Sequence, residues 1–172
     1  SHFDFYLPLF SPLSWIFGTW TLLIIQWAAI LWAGVGVRKY LEQDSPLIAR
    51  LAQIGFYGFY GIHNALAFDY HSNVIAVCIV PWLFISLKNQ SFRNAWIWLI
   101  LIWVGKENMS LWTTFIGLGW AISNWKSKEQ RKWGLVASLT SVAYFLLVMG
   151  ILIPSISQTD EYRGFLYQFN LG

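Results

Sequence analysis

Residues 20–39 read WTLLIIQWAAILWAGVGVRK, a run free of charge until Arg38 and Lys39 end it. A helix needs about 20 mostly apolar residues to cross the hydrocarbon core of a bilayer. It is apolar on every face here, where a helix on the surface of a soluble domain would show a polar one. The run from Trp20 to Val37, closed by Arg38, Lys39 and Glu42, is therefore read as a membrane span.

The rest of the chain repeats the pattern. A second run extends from Leu47 to about Phe68, opened by Asp44-Ser45-Pro46, where Ser45 caps a helix and Pro46 fits its first turn. Asp69-Tyr70-His71-Ser72-Asn73 interrupts it. The third run, Val74 to Leu87, is short and holds Pro81, which calls for a kink or a path supported by neighbouring helices. The fourth, Ala95 to Val104, stops at Gly105-Lys106-Glu107-Asn108. The fifth, Leu111 to Ile122, ends at Asn124 and a basic cluster, and the sixth runs from Trp133 to Ile153, ahead of Pro154. Phe3 to Phe17 is apolar but carries Pro8 and Pro12, so an interfacial or re-entrant segment is expected there. The fold expected is all-α: a polytopic transmembrane bundle of about six spans, one domain over residues 1–172. Because Ser1 opens the chain and the last residues run into no obvious stop, it is read as an excerpt of a longer protein.

Composition agrees. Hydrophobic residues make up 57% and charged residues 11%, against about 25% charged in a soluble domain. The 12 tryptophans suit repeated crossings of the water–lipid interface. The net charge of +3 sits in short loops between apolar runs, which marks topology rather than nucleic-acid binding. Cys78 is the single cysteine, so neither an internal disulfide nor a cysteine metal cluster is available.

Alternating six spans divides the loops into two sets. One holds Arg38, Lys39, Arg50, Lys88, Arg93, Lys126, Lys128, Arg131 and Lys132, nine of the 11 basic residues. The positive-inside rule places that set in the cytoplasm, and both termini then face outward. His2, His63 and His71 fall at or near the outer face under this assignment, with Asp4, Asp69, Glu107, Asp160 and Glu161. The topology argument used none of them.

Three constellations on that face carry ionisable groups. Asp69-Tyr70-His71 ends the second span, after glycines three apart at Gly55, Gly58 and Gly61 that let a helix or ligand approach the backbone. His63 lies two turns before His71, on a neighbouring face. Such an Asp and His can orient each other, hold a metal or bind a polar substrate; equally, a loop that meets water is polar for that reason alone. Lys106 and Glu107 stand between two short runs, so full spans would draw both charges below the surface, where charge is costly and marks a substrate path or a partner. Lys106 suits a phosphate and Glu107 a base or metal ligand; the competing arrangement is a mutual ion pair. His2-Phe3-Asp4 is the third. No phosphate-binding Gly-rich loop, zinc-protease signature or nucleophile elbow occurs. The basic cluster after the fifth run is assigned to anionic lipid headgroups.

His2-Phe3-Asp4 with Leu9-Phe10-Ser11-Pro12-Leu13, then Phe68-Asp69-Tyr70-His71, then Gly105-Lys106-Glu107-Asn108 resemble, in order and spacing, the DUF2079 family of prokaryotic multi-pass membrane proteins. The resemblance covers about residues 1–155; Tyr70 and Ser72 depart from the family pattern. It also extends to the GT-C class of membrane glycosyltransferases, which draw a sugar from a polyprenyl-phosphate donor at the outer face. What it implies is a protein of the prokaryotic cytoplasmic membrane with a lipid-phosphosugar site. Asp69, Glu107 and Asp4 would be its catalytic acids, and Lys106, His71, His2 and His63 its substrate-binding residues. The cofactor is left open, a divalent cation beside Lys106 being one arrangement. The family has an earlier helix and outer loop that this chain lacks, and in that class the catalytic acid usually sits in that loop. Two other functions compete: a non-catalytic membrane subunit that packs against partner subunits, and a transporter with Lys106 and Glu107 as a coupling pair. The last predicts an inverted repeat, which the sequence does not show.

Overall fold

The computed structural model describes residues 6–67 and 70–156. His2, Asp4 and Asp69 lie outside the described residues, as do Asp160 and Glu161. All regular structure among the described residues is helical. The chain forms two compact units, one reaching to Met109 and one starting at Ser110.

In the first unit a broken segment leads into the first long helix. Helix α1 (Tyr6–Phe10) passes through a tight turn at Ser11–Leu13 into α2 (Ser14–Phe17), and a second tight turn at Gly18–Trp20 opens α3 (Thr21–Glu42). Pro12 has no N–H to continue α1, and Gly18 takes φ +56, open to a residue without Cβ. The Thr21 hydroxyl donates to the Gly18 carbonyl at 2.7 Å and steadies the corner. The segment folds back: Tyr6, Leu9 and Phe10 share an apolar cleft with Ile25, Ala29 and Trp32 of α3. It is helical almost throughout yet does not extend α3 as a straight span.

The second apolar run is two helices, not one. Helix α4 (Pro46–Tyr57) begins as expected, the Ser45 hydroxyl accepting the Ile48 N–H with Pro46 at the first position. It stops at Gly58, and α5 (Tyr60–Ala67) starts afresh after Phe59. The poor helix propensity of three glycines in seven residues permits the break. Helix α6 (Ser72–Lys88) contains Pro81 and packs against both α3 and α7 (Phe92–Gly105). Glycines set these contacts. A Cβ at Gly36 would meet the Pro81 ring at 2.9 Å, and one at Gly34 would overlap the Tyr57 ring, whose hydroxyl donates to the Leu31 carbonyl at 2.7 Å. Lipid tails are as apolar as the side chains, so close backbone approach and hydrogen bonds supply the attraction between such helices. Trp82 stacks on Trp32 at 4.6 Å, with Trp98 alongside.

Two contacts fix the direction of α3 and α6. Lys88 at the end of α6 donates to the Asp44 carboxylate at 2.6 Å and to the Tyr40 carbonyl at 3.0 Å. Gln26 in the second turn of α3 reaches the backbone at the start of α6. The two helices are therefore parallel. Arg38, Lys39, Asp44 and Lys88 lie at one end of the unit, and Gln26 and His71 toward the other.

The second unit contains most of α8 (Glu107–Ser123) with α9 (Lys128–Leu147). A Cβ at Gly134 would lie 2.6 Å from the Gly117 carbonyl oxygen and 2.9 Å from the Ala121 Cβ, so the two backbones nearly touch. Ser138 donates to the Thr114 carbonyl at 2.7 Å, and the Thr113 and Ser141 hydroxyls meet at 3.0 Å. Helix α9 widens into a π turn over Val148–Leu152, where the Ile153 N–H reaches the Val148 carbonyl, before α10 (Ile153–Ile156). Pro154 lacks an N–H and its ring obstructs the carbonyl four residues back, so the wider register accommodates it.

Large apolar side chains face outward along the helices. Trp15 is 93% exposed, and Ile54, Phe59, Trp112 and Leu139 are each about two-thirds exposed. Tyr6–Glu42 and Lys128–Ser155 are long and apolar enough to cross a membrane, and α6 and α7 are shorter apolar helices.

Candidate functional site

The end of the first unit that carries Gln26 also carries the described candidate residues. Helices α6 and α7 are joined by three residues, Asn89 to Ser91, and pack side by side, so they are antiparallel. The start of α6 and the end of α7 therefore share one end. His71, extended at φ −133 and ψ 115, immediately precedes α6 and is exposed. Lys106, extended at φ −164 and ψ 147, immediately follows α7 and is half-buried. Glu107 opens α8, where a carboxylate complements the positive end of the helix dipole, and one of its carboxylate oxygens is buried.

Lys106 and Glu107 do not form an ion pair with each other. The ion pair between described side chains is Lys88 to Asp44, at the opposite end of the unit. The extended backbone at Lys106 separates the helices on either side, and the Lys106 carbonyl accepts the Met109 N–H at 3.0 Å as the next helix begins. Asn108 has a buried carboxamide oxygen with no partner in the structure.

Sequence reading missed Gln26. It sits inside the apolar run that defined the first span, yet its side chain is fully buried. Its Nε2 donates to the Ala65 carbonyl at 2.9 Å and its Oε1 accepts the His71 N–H at 2.9 Å. One carboxamide thus ties together the two flanks of the segment that carries Asp69. The available signal was the one amide in the run, since an amide in hydrocarbon must find partners.

His63 is placed differently from expectation. It lies on α5 and His71 lies beyond that helix, so the two are not residues of one continuous helix face. His63 is exposed. Beside the break between α4 and α5 lies a cleft of about 550 Å³, lined by α3, α4, α5 and α6. Gly55 and Gly61 border it, and nothing lies within 4 Å of where a Gly55 Cβ would be.

Among the described residues no three of His, Cys, Asp and Glu come close enough to hold a metal. Glu107 is the one carboxylate described at this end, and no chemical step is routed through a cation.

Helical structure throughout the described residues, outward apolar side chains and two helices long and apolar enough to cross a membrane fit a membrane protein. The family of predicted membrane proteins DUF2079 matches residues 1–170, and the chain belongs to it. No curated protein and no solved structure matches the chain.

Proposed function

We propose that the chain is the membrane-embedded part of a multi-pass, six-span protein of the prokaryotic cytoplasmic membrane that transfers sugar from a polyprenyl-phosphate donor at the outer face. The observation that carries this reading is Lys106: a half-buried lysine in an extended break between helices, making no ion pair with Glu107, at the same end as His71. The segregation of Arg38, Lys39 and Lys88 to the opposite end supports the orientation, cytoplasmic at that end.

In this reading Glu107 or Asp69 takes the proton of the acceptor hydroxyl. The hydroxyl oxygen attacks the anomeric carbon as its bond to the donor phosphate oxygen breaks. Lys106 stabilises the charge that develops on the departing lipid phosphate, and His71 and His63 bind the polar head. His2 and Asp4 belong to the same proposed site.

The test uses the full-length protein in liposomes with a polyprenyl-phosphate sugar. Replacing a general base costs about 10²–10⁴ in rate, and Glu107→Gln, Asp69→Asn and Lys106→Ala should each lower transfer on that order. Transfer unchanged by all three would exclude the reading. Stable co-purification with other membrane subunits, with no lipid sugar bound, would replace it with the non-catalytic subunit.

A further inference from the structure

The folded-back segment that precedes α3 is mostly exposed. Among residues 6–20 only Tyr6 is buried, with 3% of its surface exposed. That one side chain is committed to the end of α7. Its hydroxyl donates to the Leu101 carbonyl at 2.6 Å. Its ring covers the backbone of Gly105, where an added Cβ would stand 2.6 Å from Cε2 and 2.9 Å from Cζ. Gly105 is the last residue of α7, and Lys106 follows it in extended backbone. Helix ends fray, because their last carbonyls lack donors within the helix. A donor brought in from α1 and a ring laid on the final residue oppose that fraying at the point where the lysine departs.

We infer that Tyr6 is a positioning residue for Lys106: it clamps the last turn of α7 and so fixes where the half-buried lysine leaves the helix. The inference rests on the sugar-transfer reading for what Lys106 does. It goes beyond that reading by giving a role to the segment ahead of the first long helix. Tyr6 itself acts only through the lysine. A cation that stabilises a departing phosphate works because it is already in place and needs no reorganisation during the reaction. A displacement of about 1 Å is enough to lose rate. With Gly105 held by Tyr6, Lys106 is one peptide bond from a fixed point and explores space with its side-chain torsions alone. Once the clamp is released, its backbone moves as well. Glycine at 105 is part of the device, since a side chain there would displace the ring.

The test is Tyr6→Phe in the full-length protein in liposomes, alone and combined with Lys106→Ala. Phenylalanine keeps the ring on Gly105 and removes only the bond to Leu101, so the fold is retained. One net hydrogen bond corresponds to about fivefold in an equilibrium. Tyr6→Phe should therefore lower kcat for transfer from a polyprenyl-phosphate sugar by about fivefold with KM near its starting value, the pattern of a contact made in the transition state. In the Lys106→Ala background the same change should have no further effect. An equal loss in both backgrounds would overturn the proposal and leave Tyr6 a structural residue. A second readout needs no turnover: trace labelling of the lysines with acetic anhydride. Tyr6→Phe should raise labelling of Lys106 by about fivefold and leave Lys39 and Lys88, at the opposite end, unchanged; labelling of Lys106 unaltered would equally overturn it. If Lys106→Ala abolishes transfer while Tyr6→Phe alters neither transfer nor labelling, the positioning proposal alone fails. If Lys106→Ala leaves transfer intact while Tyr6→Phe selectively exposes Lys106, the clamp stands and the sugar-transfer reading fails.

Discussion

The Tyr6 hydroxyl donates to the Leu101 carbonyl at 2.6 Å, and the same ring lies against Gly105, where an added Cβ would stand 2.6 Å from its Cε2 atom. The folded-back segment is thereby seated on the last turn of α7, immediately before Lys106. A small residue at 105 and an aromatic one at 6 are two halves of one contact.

Gly105→Val should push Tyr6 out of its seat and cost about 1–3 kcal/mol, the usual penalty for overpacking. Thermal unfolding in detergent would measure it. Adding Tyr6→Ala to Gly105→Val should cost less than the sum of the two single changes, because both remove one contact. Strict additivity would show that the two residues do not interact.

Gln26→Leu should leave the Ala65 carbonyl and the His71 N–H without their partner. Hydrogen bonds between helices in a membrane contribute about 0.6–2 kcal/mol each, so a loss of about 1–4 kcal/mol is expected. Hydrogen exchange at the His71 amide should accelerate far more than at Leu83 in the middle of α6. Exchange at His71 unaltered by the substitution would disprove the clamp.

Gly134→Ala sets a methyl against the backbone of α8, which cannot rotate away as a side chain can. It should destabilise the second unit by about 1–3 kcal/mol. Gly119 faces open space, and Gly119→Ala should be neutral or stabilise by up to about 1 kcal/mol through helix propensity. Parallel melts of the two variants compare them; equal effects would mean that the crossing is not held by backbone contact.

Orientation is open to labelling. With Cys78 replaced by Ser, single cysteines at Lys39 and Lys88 should react with a membrane-impermeant thiol reagent only after the cytoplasmic side is opened. One at His71 should react from outside in sealed cells. The reverse pattern would invert the proposed topology.

Apolar runs made the long helices legible, because a helix surrounded by lipid announces itself on every face. Ser45 and Pro46 gave a helix start that the structure reproduces. The break at Gly58–Phe59 was less visible: both halves are equally apolar, and one continuous span satisfied the length rule. Of the candidate site, the position of Lys106 between two helices followed from the charges between two short runs. Its lack of a pair with Glu107 did not, since adjacent residues of opposite sign invite pairing until the backbone directs them apart. Gln26 escaped notice because its partners are backbone groups 39 and 45 residues away, and no local pattern encodes so distant a bond.

That separation has a consequence for biogenesis. Ribosomes deliver the chain to the membrane from its N-terminal side, so α3 arrives with an amide whose partners, at residues 65 and 71, have yet to follow. The first long helix thus enters lipid incomplete, and only the arrival of α6 makes it a finished part. Insertion and assembly of this unit are bound together in time by a single side chain.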